Sequence, residues 1–141
     1  MKIKVYCFSK KGNTRKLAQA LAADVKAVCD QLPPSYPPEN EKLIFIGSGM
    51  YGGKADKCVA AFCQSLTTDR VKNVAFFATS AKGEANVADL AQIVKSKGIA
   101  VVGDTFSTPC PSLFSNKDRP NAADIDEIKK WAADIVAKVG E

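Results

Sequence analysis

Short β-type runs alternate with amphipathic helical segments along the sequence, and this alternation limits the possible folds more than any other feature. The strongest run, residues 42–48, is almost continuously apolar, as in a strand that is buried on both faces of a parallel sheet. The helical segments instead repeat apolar residues at intervals of three and four, as at Leu17, Leu21 and Val25. Strands that alternate with helices predict right-handed βαβ connections. We therefore predict one α/β domain over residues 1–141, with a doubly wound, five-stranded parallel sheet and helices on both faces.

The predicted elements are joined by short polar or proline-rich connections. Residues 31–38 contain four prolines, which exclude a regular helix, so the second crossover is expected to be a loop. Gly98 is expected to end the third helix at its C′ position. The predicted strands are residues 2–8, 25–29, 42–48, 73–79 and 99–105, and the predicted helices are residues 13–24, 54–66, 85–97 and 121–139.

The composition excludes several kinds of site. The chain has no histidine, which rules out Ser–His and Cys–His catalytic arrangements and His-ligated metals or haem. Its five cysteines contain no Cys-x-x-Cys pair, so neither a disulfide framework nor a zinc site is expected. We predict no metal site.

The net charge of +5 raises the question of nucleic acid. The lysines are spread along the chain without an arginine-rich block or interleaved aromatic residues, so a basic solvated surface is expected and nucleic-acid binding is not. An acidic protein partner stays open. No apolar run reaches the ~20 residues of a membrane span, and the amino terminus lacks the pattern of a signal peptide. The sequence thus predicts a soluble, cytoplasmic protein without a membrane span.

Three polar, glycine-bearing loops follow the first, third and fourth predicted strands. Because the carboxyl ends of parallel strands share one edge of a doubly wound sheet, these loops are expected to converge on a ligand site. In the first loop, Gly12 permits a close backbone approach and the following helix N-terminus favours an anion. That combination predicts a phosphate site, although an ordinary strand–helix turn is the alternative for this loop taken alone. The candidate binding residues are Ser9, Lys10, Lys11, Gly12, Asn13 and Thr14 in the first loop, Ser48, Gly49, Met50, Tyr51, Gly52 and Gly53 in the second, and Thr79, Ser80, Ala81, Lys82 and Gly83 in the third.

Two of these segments resemble the flavodoxin family, and the resemblance extends over essentially the whole chain. Residues 5–14, VYCFSKKGNT, are similar to the strand and phosphate loop of that family, and residues 44–53, IFIGSGMYGG, are similar to its second flavin-contacting loop. The resemblance implies a flavodoxin-like fold with FMN as the cofactor and with the first loop around its phosphate. It also implies that Tyr51 packs on the isoalloxazine ring and that the Gly52 peptide can contact flavin N5.

The third loop departs from the flavodoxin pattern. Flavodoxins often place an aromatic residue there, against the flavin, whereas this chain has Ala81 or Lys82 at that position. We expect one face of the ring to be open or to be covered by Phe106 or Phe114.

The resemblance implies an FMN-binding electron-transfer protein that acts with a redox partner protein. An electron carrier is favoured over a flavin-dependent oxidoreductase, so no catalytic residue is predicted. One alternative is an FMN-dependent reductase or oxidase of quinone- or porphyrinogen-like substrates, which an open flavin face would favour. Another is a flavodoxin-fold binding module without flavin, since a fold does not determine a function.

Overall fold

The computed structural model describes residues 1–111 and 116–140, and within these residues the chain forms seven strands and four helices. The strands are β1 (Ile3–Phe8), β2 (Val28–Gln31), β3 (Glu41–Tyr51), β4 (Lys54–Ala55), β5 (Val71–Ser80), β6 (Ala100–Val101) and β7 (Phe106–Pro109), and the helices are α1 (Asn13–Asp24), α2 (Lys57–Ser65), α3 (Ala88–Ser96) and α4 (Ala122–Gly140).

Five strands form a parallel sheet in the order β2-β1-β3-β5-β6, which confirms the doubly wound α/β fold. Two further strands bring the number in the described residues to seven instead of five. The predicted strand 99–105 is interrupted, because Gly103 adopts a φ of 68° and the chain returns to the edge of β5 only at Phe106, as β7. The other additional strand is β4, which pairs antiparallel with the end of β3.

The end of α1 shifts the second strand along the sequence. Lys26 adopts a left-handed φ of 58°, and the Ala27 amide donates a hydrogen bond to the Ala22 carbonyl. This is the Schellman pattern, here with a lysine where glycine is usual. Residues 25–27 therefore close the helix, and the predicted strand 25–29 is wrong in its first half because β2 begins at Val28.

The second and third helices are shorter than predicted at their amino ends. Residues 54–55 are taken up by β4, and α2 begins at Lys57 with Asp56 as its N-cap, whose Oδ1 accepts a hydrogen bond 3.0 Å long from the Cys58 amide. The third helix begins at Ala88. The predicted helices over 13–24 and 121–139 agree with α1 and α4 to within a residue at each end.

The hydrophobic core lies on both sides of the sheet, as the continuous apolar character of β3 indicates. Leu43 and Phe45 pack with α1 and α4, whereas Ile44 and Ile46 pack with α2 and α3. Since successive side chains of a strand point to opposite faces, an unbroken apolar run fills both cores at once. Within the described residues, no helix combines the length and the apolar character that crossing a membrane requires.

Candidate functional site

The three candidate loops meet at one edge of the sheet, because β1 and β5 flank β3 in parallel and all three strands end there. They enclose two clefts that share Met50 and Ala81. The first cleft is lined by Ser9, Lys11, Asn13, Thr14, Gly49, Met50, Tyr51, Thr79, Ala81, Cys110 and Pro111. The second cleft is lined by Met50, Gly52, Gly53, Ser80, Ala81, Lys82, Glu84, Ala85 and Asn86.

The floor of the first cleft is a pair of buried hydroxyl groups. Thr14, in the first turn of α1, and Thr79, near the end of β5, place their Oγ1 atoms 2.8 Å apart. Two hydroxyls carry two O–H donors, and their mutual hydrogen bond uses one of them. The other donor is therefore available to an oxygen atom in the cleft.

The amino terminus of α1 opens onto the first cleft. Gly12 precedes the helix with a φ of 90°, and its amide donates a 2.9 Å hydrogen bond to Ser9 Oγ. In the part of the chain that the structure describes, no side chain caps this helix, and Asn13 and Thr14 of its first turn both line the cleft. Backbone amides without helical partners and the helix dipole together favour an anion at this end.

Tyr51 connects the second loop to the first. Its hydroxyl accepts a 2.9 Å hydrogen bond from the Lys10 amide, and Lys10 Nζ lies 4.4 Å from the centre of its ring. The ring also meets Phe8 edge to face, with centroids 6.3 Å apart. Burial raises the pKa of the Tyr51 hydroxyl. Tyr51 lies at the first cleft, and Met50, like Ala81, lines both clefts.

The second cleft lies between the β3–β4 turn and the loop after β5. Gly52 and Gly53 form the turn with φ values of 62° and 82°, which side-chain-bearing residues rarely adopt. The cleft encloses about 470 Å³, within the ~300–1,000 Å³ of small-molecule sites. Ser80 is 8% exposed, and its buried Oγ has no hydrogen-bond partner among the described residues. A buried hydroxyl without a partner carries a free-energy cost.

Four of the predicted binding residues do not line either cleft, namely Lys10, Gly12, Ser48 and Gly83. Lys10 and Gly12 support the first loop through the contacts described above. Ser48 is buried, and its hydroxyl donates to the Gly49 carbonyl over 2.8 Å. Gly83 forms the turn after β5, where its amide donates to the Ser80 carbonyl.

Phe106 does not cover the second cleft. Its ring packs against Trp131 of α4, with centroids 5.8 Å apart, in the core on the α1 and α4 side of the sheet. Phe114 lies outside the described residues. Flavodoxins often have an aromatic residue at the position of Ala81 or Lys82. In this chain both residues are exposed.

Sequence reasoning missed five lining residues, Glu84, Ala85, Asn86, Cys110 and Pro111. The first three were assigned to the end of a loop and the start of a helix that in fact begins at Ala88. The last two follow β7, and recognising residues 106–109 as a strand would have placed them at the same sheet edge. No group of three or more candidate metal-ligating side chains occurs in the described ranges 1–111 and 116–140.

The comparisons with known proteins bear on the fold. No family model matches the chain. The uncharacterized protein MJ0298 of Methanocaldococcus jannaschii is 28% identical over 135 residues, which cover 88% of this chain and 90% of that protein. Among solved structures, a short-chain flavodoxin associated with a bacterial microcompartment matches 99% of both chains with a TM-score of 0.75 and 13% identity. The fold is flavodoxin-like.

Two further structures with the flavodoxin-like fold extend the comparison. A Streptococcus pneumoniae flavodoxin has a TM-score of 0.73 and 15% identity, over 96% of this chain and 98% of that chain. A Lactobacillus acidophilus flavoprotein in complex with FMN has a TM-score of 0.60 and 19% identity, over 74% of this chain and 91% of that chain. At such identities the likeness establishes the fold, and the function has to be argued from the two clefts.

Proposed function

We propose that this chain binds FMN across the two clefts and transfers electrons between the flavin and a redox partner protein. The observation that carries the proposal is the pair of joined clefts, with an anion-favouring helix terminus at one end and an unpartnered buried hydroxyl at the other. A phosphorylated ligand with a polar ring system matches both ends. The FMN complex of a protein with the same fold supports this choice of ligand.

The residues of the first cleft suit a phosphate group. The Thr14 and Thr79 hydroxyls, the Asn13 side chain and the first amides of α1 would hold its oxygen atoms, and Lys11 would offset its charge. In the second cleft, Ser80 Oγ would gain the hydrogen-bond partner that it lacks from the polar edge of the ring. Bound FMN would supply reversible uptake and release of electrons. The chain would position the ring and restrict its contact with water.

The phosphate site is tested by Thr14→Val, which keeps the shape of the side chain and removes its hydroxyl. We expect the variant to bind FMN about 10- to 150-fold more weakly, because one hydrogen bond to a charged group contributes roughly 1.5–3 kcal/mol. Riboflavin lacks the phosphate, so its affinity should be unchanged. The measurement is a binding titration with each flavin, in which the quenching of flavin fluorescence reports the bound fraction.

The matched control is Thr68→Val, at an exposed threonine of the α2–β5 connection. It should leave both affinities as in the parent chain. Equal losses for FMN and riboflavin in Thr14→Val would mean that Thr14 supports the fold and not the phosphate. Absence of FMN binding by the parent chain would refute the proposed function and would favour a binding module without flavin.

The open second cleft favours one further candidate, an FMN-dependent reductase of quinone- or porphyrinogen-like substrates. Its lining contains no aromatic side chain among the described residues, and small residues such as Gly53 and Ala85 border it. A planar substrate could then reach the ring directly. Steady-state oxidation of NAD(P)H with a quinone by the FMN-loaded protein separates the two functions, since an electron carrier alone should show almost no turnover.

A further inference from the structure

Five exposed lysines lie in the loops that form the two clefts or at the start of the elements that follow them. Lys10 and Lys11 lie in the first loop, Lys54 and Lys57 begin β4 and α2, and Lys82 lines the second cleft. The two salt bridges found within the described residues, Lys2–Glu41 and Arg119–Asp124, involve none of these five. The cluster therefore carries an excess of positive charge at the edge of the sheet where the two clefts lie.

Few carboxylates oppose this charge near the clefts. Asp56 accepts a hydrogen bond from the Cys58 amide as the α2 cap, and this bond, together with nearby Lys10 and Lys57, lowers its pKa. Asp56 keeps its negative charge and offsets part of the charge of Lys10 and Lys57. Glu84 is the acidic residue among the described lining of the clefts, and it is exposed, as is Lys82. Two carboxylates against five lysines leave this region positively charged.

We propose that these five lysines form a docking face for an acidic electron-carrier protein, which would cover the openings of both clefts. A protein is favoured over nucleic acid because none of the five cations is an arginine, and because the aromatic ring beside them, Tyr51, is held by Lys10. Complementary charge speeds association and orients the partner over the cleft edge. The redox role of the partner rests on the proposed FMN function, but the docking itself is measurable without flavin.

The test is a binding titration with an acidic [2Fe–2S] ferredoxin as the probe. The amide chemical shifts of the ¹⁵N-labelled chain report the binding. We expect binding at ~10 mM ionic strength and marked weakening at ~100 mM, as the Debye length falls from about 30 to about 10 Å. Lys54→Glu/Lys57→Glu should weaken binding about tenfold or more at low ionic strength. Neither lysine lines a cleft, so FMN affinity should be unaffected.

The matched control is Lys42→Glu/Lys130→Glu, which makes the same change in net charge at two other exposed positions. Lys42 lies at the start of β3, near the opposite edge of the sheet, and Lys130 lies on α4. This variant should retain the parent affinity. A basic c-type cytochrome should not bind, and binding of that probe would overturn the charge argument.

Three other outcomes would also overturn the docking face. They are absence of ferredoxin binding at low ionic strength, equal losses in the two double variants, and tighter lysine-dependent binding of a single-stranded RNA oligonucleotide. Failure of the proposed function is distinguishable, because ferredoxin binding would then persist in a chain that takes up no FMN.

Discussion

Two hydroxyl groups accept hydrogen bonds from backbone amides of the first loop, and one of them belongs to the loop itself. Ser9 Oγ accepts the Gly12 amide and the Tyr51 hydroxyl accepts the Lys10 amide, each over 2.9 Å. Tyr51 belongs to β3, so the loop after β1 is positioned by a residue 41 places further along the chain. A site that is held by its own hydrogen bonds loses less conformational freedom when it binds a ligand.

Tyr51→Phe tests this contact at the scale of one atom. Without the hydroxyl, the Lys10 amide loses its acceptor, and we expect its hydrogen exchange to become faster while exchange in the core of β3 stays unchanged. The measurement is amide exchange followed by NMR. Tyr36→Phe, at a tyrosine that is 75% exposed, is the control. An unchanged rate at Lys10 would show that the loop does not depend on Tyr51.

At the scale of elements, β3 connects the sheet, the two cores and the candidate site. It pairs with β1 and β5 in the sheet, sends side chains to both cores and ends in the turn that borders the second cleft. Gly47 lies opposite Phe77 of β5, and a Cβ built on it would stand 2.2 Å from that ring. The aromatic ring thus occupies the space that a side chain at position 47 would need.

Gly47→Ala should therefore destabilise the fold. Overpacking of this kind typically costs about 1–3 kcal/mol, because the Phe77 ring or the strands must shift. The free energy of unfolding from urea titration measures the effect. Gly140→Ala is the matched control, since a Cβ there meets only the end of Met1 at 3.5 Å. Equal stability of the two variants would mean that the sheet yields without cost at position 47.

At the scale of the whole molecule, one ion pair joins the segment before α4 to that helix, next to β7 of the sheet. Arg119 donates two hydrogen bonds of 2.6 Å to the Asp124 carboxylate, and its Nη2 lies 3.5 Å from Thr108 Oγ1 of β7. Nearby, Asn116 Nδ2 donates to the Ala81 carbonyl beside both clefts. These contacts join α4, β7 and the third loop.

The pair predicts a pH dependence of stability. Arg119, and to a lesser degree the Asn121 amide, lower the pKa of the Asp124 carboxyl. The carboxylate therefore stabilises the fold above the unfolded-state pKa of about 3.9, and this contribution disappears as the pH falls through the lower folded-state pKa. Asp124→Asn should lower the free energy of unfolding by about 1–3 kcal/mol near pH 7.

The difference from the parent chain should shrink as the pH falls below the unfolded-state pKa of about 3.9 and then through the lower folded-state pKa. Urea unfolding across a series of pH values measures it. Asp126→Asn, an exposed position on the same helix, should track the parent chain at every pH. If the loss of unfolding free energy in Asp124→Asn were the same at every pH, the substitution would act through packing and not through the charge of the carboxylate.

The sequence by itself determined the α/β class and the sheet edge at which the candidate site lies. These follow from local periodicity: apolar runs and helical spacing are set by near neighbours, and each polar loop is adjacent to the strand that positions it. The absence of a helix over residues 31–38 was likewise readable from four prolines. The α1 N-terminus at Asn13 followed from a single glycine and the apolar spacing after it.

The tertiary structure alone decided the contacts between these parts. The Thr14–Thr79 pair, the Tyr51–Lys10 contact and the unpartnered Ser80 hydroxyl depend on residues that are distant in sequence. The break at Gly103 and the return of the chain as β7, which brings Cys110 to the first cleft, depend on pairing with β5. Such contacts form only when separate elements pack, because a side chain's hydrogen-bond partners are set by where the other strands and helices lie.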